Sequence, residues 1–474
     1  MHVVRLLYGP DMPARRKSAR RWAPATSWTA VLATVAWAVL ATAPSAGAAA
    51  PAEPPTPPEQ ALSTPFEHHT EGYACFRIPA LVTTPDGTLL AFAEARVTDC
   101  SDVGNIDLVM KRSLDGGHTW SDLTVLRGTG TSGGFGNPVP VVDDATGRVS
   151  VLFAYNGWAH KDGERARGGR SLHSVYSDDD GLTWTTGGVL GPLKPAHWTW
   201  VSVGPGHGVQ LRRGPHAGRL IVPGDHDTED GTSGAQLYYS DDGGLTWRLG
   251  AVWETVEELP HPGELTVVEL VSGALYVNAR SSHPGPGLHR LEARSDDGGE
   301  TFDPAGFTPV PGLAAPPVYG SMLRLRATDE GDPRNRLLLS APARPVPDVA
   351  TRRRAMTIRT SYDEGGTWQA TTKTINSARA GYSDLAELLT GEIGLLYETA
   401  TNSPHGTIRF TAFTAASLDG GSPHLELCRV PDPADGASWV PADRVQETVQ
   451  AAAVVNRRTP SAPPRWFPVR RLPG

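Results

Sequence analysis

The feature that most constrains this chain is an eight-residue pattern, Ser-x-Asp-x-Gly-x-Thr followed by Trp or Phe, that occurs five times. Asp and Gly at these positions favour a tight hairpin turn, the Ser and Thr hydroxyls can satisfy its backbone, and the aromatic residue can pack back between strands. Successive copies begin 64, 63, 55 and 66 residues apart. This near-constant spacing predicts a series of repeated antiparallel β units. The copies are Ser113–Trp120, Ser177–Trp184, Ser240–Trp247, Ser295–Phe302 and Ser361–Trp368.

A second repeat has the same period. In six places, about 61 residues apart, a Gly or Asn precedes a short apolar segment that ends in a polar residue. Several short strands per unit at this period are typical of β-propeller blades. We therefore predict an all-β fold, a six-bladed β-propeller over residues 64–419, in which the polar residues that end equivalent strands converge on one face. The segments are Gly87–Arg96, Gly147–Asn156, Gly218–Asp225, Gly273–Arg280, Asn335–Arg344 and Gly391–Glu398.

The composition agrees with a turn-rich β protein. Gly (52) and Pro (42) make up about a fifth of the 474 residues, and the 13 Trp outnumber the 11 Tyr and the 10 Phe. The formal net charge of −8 at pH 7 gives the protein no overall cationic surface for nucleic acid. An anionic ligand must therefore be bound by a local cluster of basic residues.

The first 48 residues are typical of a secretory signal peptide, which predicts a secreted protein. They contain six Lys and Arg against one Asp, an apolar run over Trp28–Ala43, and a small-residue cleavage site after Ala48. A membrane anchor is the alternative, but the run is shorter than the ~20 apolar residues that a span needs. Met12 is a possible true start, and Arg20-Arg21 gives weak support for a twin-arginine signal.

The other boundaries follow from composition. Residues 49–63 are Pro-rich and predict a linker, and residues 420–474 are rich in Pro, Ala and Arg and predict a largely irregular tail. Of the three cysteines, Cys75 and Cys100 form the pair that we expect to be bridged in an oxidising compartment, with free thiols as the alternative. We expect Cys428 to be unpaired. Metal-ligand spacings, phosphate-binding glycine loops and the G-x-S-x-G pattern are absent from the sequence, so no metal or other cofactor is expected.

Charged residues stand at or beside several of the predicted strand ends. Ordinary surface charge is one explanation for any single residue among them. Several arginines on one face of an acidic protein are better explained as a clamp for an anion, because a guanidinium group matches a carboxylate with two parallel hydrogen bonds. The residues are Arg77, Arg96, Glu264, Arg280, Arg344 and Glu398.

Three motifs follow one another along the chain. They are Phe76-Arg77-Ile78-Pro79, then the five eight-residue repeats, and then Gly381-Tyr382-Ser383-Asp384-Leu385. In this respect residues 65–418 resemble the bacterial secreted exo-alpha-sialidases, or neuraminidases, whose eight-residue repeat is called the Asp box. The Asp box alone is weak evidence for an enzyme, since non-catalytic propellers also carry it. Together with the other two motifs, it makes the resemblance specific.

The resemblance implies three arginines that bind the carboxylate of a sialic acid. Arg77 and Arg280 match the first two, and the third falls within Arg352-Arg353-Arg354. We choose Arg353 from its offset to the next strand, with Arg344 as a rival. Arg96 matches an arginine near the 4-substituent of the sugar ring.

The resemblance also implies the reacting groups. Tyr382 matches the nucleophile and Glu264 its base, although Gly263 stands where Asn or Asp often precedes this Glu. Asp102 matches the acid/base residue, with Asp99 as a competitor, and Glu398 the carboxylate that orients the first arginine.

A tyrosine suits this reaction, because a neutral phenol avoids the repulsion between an anionic nucleophile and the substrate carboxylate. The function implied is hydrolysis of terminal sialic acids from glycoproteins, glycolipids or oligosaccharides, with a retaining mechanism. The alternatives are a trans-sialidase and a propeller that binds sialoglycans without catalysis. We expect neither nucleic acid nor a stable membrane span to be involved.

Overall fold

The computed structural model of this chain describes residues 62–128, 130, 133–161, 164–254, 261–281, 289–343, 353–370, 372–400, 405, 407–419, 427–430 and 438–441. The predicted signal peptide, nearly all of the predicted linker and most of the predicted tail lie outside the described residues. Arg344 and Arg352 also lie outside them.

The described part is built from β-strands and a few single turns of 3-10 helix. The strands are β1 (Ser63–Glu67), β2 (Cys75–Thr83), β3 (Leu89–Arg96), β4 (Ile106–Ser113), β5 (Thr124–Arg127), β6 (Gly134–Val142), β7 (Val149–Lys161), β8 (Glu164–Ser177), β9 (Thr185–Val189), β10 (Trp198–Val203), β11 (Val209–Gln210), β12 (Leu220–Thr228), β13 (Ser233–Ser240), β14 (Arg248–Glu254), β15 (Pro262–Glu269), β16 (Leu275–Ser281), β17 (His289–Ser295), β18 (Thr308–Ala314), β19 (Ser321–Leu325), β20 (Arg336–Ala343), β21 (Arg354–Ser361), β22 (Lys373–Glu387), β23 (Ile393–Ala400), β24 (Thr407–Phe413), β25 (Leu427–Val430) and β26 (Ser438–Pro441). The 3-10 helices are Gly191–Leu193, Gly214–His216, Thr328–Glu330 and Ala415–Leu418. Among the described residues, no helix has the length and apolar character that crossing a membrane requires.

Most strands of the described part pair antiparallel in six sets of four. The sets are β2–β5, β6–β9, β10 with β12–β14, β15–β18, β19–β22, and β22–β24 with β1. In addition β11 pairs with β12, β25 pairs with β26, and β4 meets β6 in one parallel pairing. The long strand β22 belongs to two sets, because its first half pairs with β21 and its second half with β23. The predicted all-β class is confirmed, and the six sets agree with the six predicted units. Closure into a six-bladed ring stays a prediction.

The Asp boxes form the turns that their sequence predicts. In the first copy, Ser113 Oγ donates to Asp115 Oδ1 at 2.8 Å and accepts from the Gly117 N–H at 2.8 Å. Asp115 in turn accepts from the N–H and the hydroxyl of Thr119 at 2.9 and 2.6 Å. The other four copies repeat these bonds.

The Asp boxes also pack against a neighbouring set. The Trp120 ring lies edge-on to Phe410 of β24, with 5.7 Å between centroids, and Trp184 lies edge-on to Phe92 of β3 at 5.8 Å. Gly117 has φ of 91°, and a Cβ on it would lie 2.1 Å from a ring carbon of Phe410. Glycine is therefore required there both by the turn and by the close packing between sets.

Asp384, from the motif Gly381–Leu385, is fully buried and joins strands of different sets. It accepts from the Leu81 N–H of β2 at 2.8 Å and from the Ser321 hydroxyl of β19 at 2.6 Å. Its Oδ1 atom also lies 2.8 Å from His207 Nδ1. The residue two positions after Tyr382 is therefore a structural anchor that holds β22 in place.

A disulfide joins Cys75 to Cys100, with 5.3 Å between the Cα atoms. This confirms the expected pairing. Cys75 begins β2, and Cys100 lies in the loop between β3 and β4 that carries Asp102. The bridge therefore ties that loop to the strand that carries Arg77. Cys428 lies in β25, which pairs with β26 within the predicted tail.

Candidate active site

A cavity of about 140 Å³ lies where the first strands of several sets meet. Most of the residues predicted from the sequence to act on a substrate line this cavity or contact residues that do. Its lining includes Arg96, Asp102, Asn156, Asp225, Glu264 and Tyr382.

β-bulges direct side chains toward this cavity. The pairing register shifts between Arg77 and Ala80 in β2, between Gly263 and Leu265 in β15, and between Ala380 and Ser383 in β22. Ile78 and Glu264 have positive φ angles of 58° and 47° within these bulges. A bulge disrupts the regular alternation of a strand and can re-aim a side chain. Local sequence alone does not reveal it.

Arg77 is 5% exposed and is held by a fully buried carboxylate. Its Nε and Nη2 atoms donate to the two oxygens of Glu398 at 3.2 and 3.4 Å. Glu398 also accepts from the backbone N–H groups of Ile78 at 2.9 Å and Tyr382 at 3.0 Å. Burial opposes the charge on Glu398, but Arg77, then His405, and then the Ile78 N–H outweigh it and lower the pKa of this carboxyl group. Glu398 therefore fixes the orientation of Arg77 and links β2 to β22.

Arg96 is 2% exposed and is paired with Glu94 on the same strand, at 3.1 Å from Nε and 2.6 Å from Nη2. Its Nη1 atom donates to Asp102 Oδ1 at 2.8 Å, and Arg77 Nη1 donates to the same oxygen at 3.1 Å. The Asp102 side chain is 66% exposed. Partial burial opposes its charge, but Arg96 and then Arg77 lower the pKa of Asp102. In this state Asp102 is a carboxylate held between two guanidinium groups.

Tyr382 and Glu264 are joined by a short hydrogen bond from the phenol to the carboxylate. Arg280 Nη1 donates to Glu264 Oε2 at 2.8 Å and lies 3.4 Å from the phenol oxygen. Burial and then the Glu264 carboxylate raise the pKa of Tyr382 well above its usual value, against the opposing effect of the arginines. The phenol is therefore neutral at ordinary pH and has an acceptor for its proton.

Of the two described arginines in the predicted triplet, Arg353 faces this tyrosine. Its Cζ atom lies 5.6 Å from the centroid of the Tyr382 ring, and the Cζ of Arg77 lies 5.3 Å from it. Arg353 Nη2 donates to the Pro317 carbonyl at 2.7 Å. Arg354 is exposed at the start of β21. Arg77, Arg280 and Arg353 therefore surround one phenol.

One of the two competing assignments is separated by position. Asp99 is exposed and accepts from the Ser101 N–H at 2.7 Å within its own loop, whereas Asp102 contacts both arginines. The rival Arg344 lies outside the described residues, as does Arg352.

Some residues around the cavity were not predicted from the sequence to have a role. Glu94 pairs with Arg96 and also accepts from the Asn137 N–H at 2.9 Å, which links the first set to the second. The signal was the Glu-x-Arg spacing, which places both side chains on one face of β3. Asn156 and Asp225 are the last residues of second-repeat segments, as Arg280 and Glu398 are. That equivalent position could have identified them from the sequence. Within the described residues, no group of three or more His, Cys, Asp or Glu side chains is arranged to hold a metal ion.

Residues 76–395 match the family described as "BNR repeat-like domain". A sialidase from Micromonospora viridifaciens is 35% identical over 362 residues, which cover 74% of this chain and 53% of that protein. An exo-alpha-sialidase from Aspergillus fumigatus is 31% identical over 362 residues, covering 69% of this chain and 79% of the relative. This chain belongs to the sialidase family. The predicted resemblance to the sialidase family is thereby confirmed, and this chain spans about half the length of the Micromonospora relative.

Solved structures agree with this placement. Hadza microbial sialidase Hz136 matches this chain with a TM-score of 0.62 and 26% identity, over 73% of this chain and 67% of that one. An intramolecular trans-sialidase from Ruminococcus gnavus matches with a TM-score of 0.58 and 20% identity, over 74% of this chain and 96% of that one. The second likeness concerns the fold alone.

Proposed function

We propose that this chain is an exo-alpha-sialidase that releases terminal sialic acids from glycoconjugates with retention of configuration. The observation that carries the proposal is the hydrogen bond from the Tyr382 phenol to Glu264, with three arginines around the same phenol. A tyrosine paired with a carboxylate provides an activated nucleophile. The arginines provide a site for the carboxylate that a sialoside bears on its anomeric carbon.

In the first step, Tyr382 Oη attacks the anomeric carbon while the bond to the leaving oxygen breaks. The phenol proton passes to Glu264, and the leaving oxygen takes a proton from Asp102. The product is a glycosyl-tyrosine. In the second step, water attacks the same carbon, Asp102 takes a proton from the water, and Glu264 returns its proton to the departing phenolate. Each residue thereby regains its starting state.

The surroundings of Asp102 must change, so that its pKa rises, before it can act as an acid. Arg77 Nη1 is bound to Asp102 in the free site, and the Nε and Nη2 atoms of Arg77 are bound to Glu398. A substrate carboxylate that binds Arg77 therefore takes the place of Asp102. Asp102 then loses one of its two cationic partners, and the nearby substrate charge opposes its ionisation, so its pKa rises. Substrate binding thereby favours the protonated form that the first step needs.

The test of the proposed function is an assay with a fluorogenic sialoside and an acceptor sugar, in which free and transferred sialic acid are both measured. We expect free sialic acid with the α-anomer formed first. Transfer to the acceptor as the main outcome would indicate a trans-sialidase. Tight binding without turnover would indicate a sialoglycan-binding propeller.

The proposed activity also implies the substrates of this protein, and its first residues imply its location. We propose that the substrates are sialylated glycans of glycoproteins, glycolipids or oligosaccharides and that the protein is secreted. The support for secretion is the signal-peptide composition of residues 1–48 and the Cys75–Cys100 disulfide, since disulfides persist in oxidising compartments. N-terminal sequencing of the exported protein tests the cleavage site after Ala48.

A further inference from the structure

Carboxyl groups around the cavity differ in their hydrogen bonds. Glu398 and Glu94 each accept from an arginine and from backbone N–H groups. Asp225 ends the second-repeat segment on β12 and lines the same cavity as Glu264 and Tyr382. Its Oδ1 atom is buried and has no hydrogen-bond partner among the described residues. The group does accept a hydrogen bond from the Glu264 backbone N–H, so Asp225 has one supported carboxyl oxygen and one buried oxygen, Oδ1, without a donor.

The buried Oδ1 atom of Asp225 affects the charge of its carboxyl group. A buried carboxylate oxygen without a donor costs free energy, and the group avoids that cost by binding a proton. Burial and then the charge on Glu264 raise the pKa of Asp225 to about 7, and Arg170 and the hydrogen bond from the Glu264 backbone N–H oppose them. Because the folded-state pKa is raised, Asp225 is uncharged below about pH 7 and becomes ionised above it.

The charged and titratable groups that act on Asp225 come from five strands. Arg170 on β8 and Arg280 on β16 favour its ionised form. Glu264 on β15 and Asp227 on β12 oppose it, and the phenol of Tyr238 on β13 is uncharged. Glu264 is the group among these that the proposed reaction needs in its ionised form.

We propose that Asp225 works as an uncharged carboxylic acid beside Glu264 and that its ionisation sets the alkaline limit of the reaction. This inference rests on the proposed function. While Asp225 is uncharged, Glu264 carries the negative charge on this side of the cavity and can accept the Tyr382 proton. Once Asp225 ionises, a further negative charge is added to a cavity that already contains the Asp102 carboxylate and must admit an anionic sugar, so binding weakens. Asp225 is a positioning residue, because it acts through the charge around Glu264.

The experiment compares pH profiles of kcat/KM for the wild type, Asp225→Asn and Asp227→Asn. The substrate is a 4-nitrophenyl sialoside, whose leaving group departs without a proton, so Asp102 does not define the alkaline limb. For one ionisation at a pKa of about 7, wild-type kcat/KM should be about tenfold lower at pH 8 than at pH 6. Asp225→Asn keeps the shape of the side chain but cannot ionise. Its kcat/KM should therefore be constant over this pH range and close to the wild-type value at pH 6. Asp227→Asn removes a carboxylate from the same strand, which bonds Ser233 at 2.7 Å. It should keep an alkaline fall, moved to lower pH because one charge that opposes the ionisation of Asp225 is lost.

Two results would overturn the inference. One is an alkaline limb that persists in Asp225→Asn, and the other is an equal loss of activity at pH 6 and pH 8. If the variant does not fold, NMR titration of wild-type protein with ¹³C-labelled aspartate carboxyl groups decides the question. One carboxyl group should titrate near pH 7, and none between pH 6 and 8 would contradict the proposal. A wild type without turnover would reject the proposed function, and the titration would still decide the state of Asp225.

Discussion

At the scale of single residues, the phenol of Tyr382 is the group on which the proposed reaction depends. Tyr382→Phe removes one oxygen and leaves the arginines around the ring in place, so a sialic acid analogue should still bind. Without a nucleophile, kcat should fall at least about a thousandfold. Tyr319 offers a matched control, since its buried ring lies 6.0 Å from that of Tyr382. Tyr319→Phe should keep near-wild-type kcat, and comparable loss in both variants would reject the nucleophile assignment.

The exchange of partners at Asp102 predicts that ligand binding takes up a proton. In the free site Arg96 and Arg77 keep Asp102 ionised, and a ligand carboxylate displaces it from Arg77. Calorimetric titration with a sialic acid analogue near pH 5, in buffers of different ionisation enthalpy, measures the protons taken up. We expect uptake in the wild type and none in Asp102→Asn. The variant should also bind the analogue more tightly, because nothing charged competes for Arg77. Binding without proton uptake in the wild type would contradict the exchange.

The main candidate residues could be predicted because they lie in motifs or at the ends of repeated strands. Arg77, Tyr382 and Glu264 are brought together by the structure, although they are separated by up to 305 residues in the chain. The ion pair between Asp102 and Arg77 could not be predicted, because it depends on how a disulfide-bound loop folds over β2. The unpaired Oδ1 of Asp225 could not be predicted either, since it depends on which donors the neighbouring described strands place beside that oxygen.

At the scale of elements, the Asp-box turn should be sensitive to acid. Slight burial opposes the charge on Asp115, but hydrogen bonds from Thr119 and Ser113 outweigh it and lower its pKa to about 2. A lowered folded-state pKa stabilises the protein above the unfolded value of about 4, and this contribution is lost as pH falls toward 2. Thermal unfolding should therefore show a higher Tm for the wild type than for Asp115→Asn at pH 6. The difference should shrink between pH 4 and pH 2, and a constant difference would contradict this origin.

The repeated elements were predictable because a turn is specified by residues close in sequence. The Asp boxes and the second repeat identified six units, and each Asp box has the hydrogen bonds that its Ser, Asp and Thr allow. The sharing of β22 between two sets was not predictable. The change of neighbour lies at Arg379, which pairs with Arg354 of β21 and with Ala400 of β23. Pairings between distant segments leave no local pattern in the sequence.

At the scale of the whole molecule, the first described strand completes the last set. β1 pairs with β24, and the register joins Ser63 to Phe410 and Phe66 to Ile408. The Trp120 indole N–H donates to the Ser63 hydroxyl at 2.9 Å, which links β1 to the Asp box of the first set. Phe66 is fully buried, and its ring lies 5.4 Å from that of Phe76 on β2. The start of the domain therefore holds its first and last sets together.

This arrangement predicts that β1 contributes strongly to stability although it is only five residues long. Phe66→Ala leaves a cavity where the first and last sets meet, and such changes lower the free energy of unfolding by about 3–5 kcal/mol. Glu67→Ala changes an exposed neighbour on the same strand and should alter it by no more than about 0.5 kcal/mol. Urea unfolding followed by tryptophan fluorescence and far-UV circular dichroism measures both variants. Because Phe66 contacts two sets at once, the fluorescence and the circular dichroism of Phe66→Ala should change together. Both should change at a lower urea concentration than in the wild type. A midpoint equal to that of Glu67→Ala would show that the two sets hold together without β1.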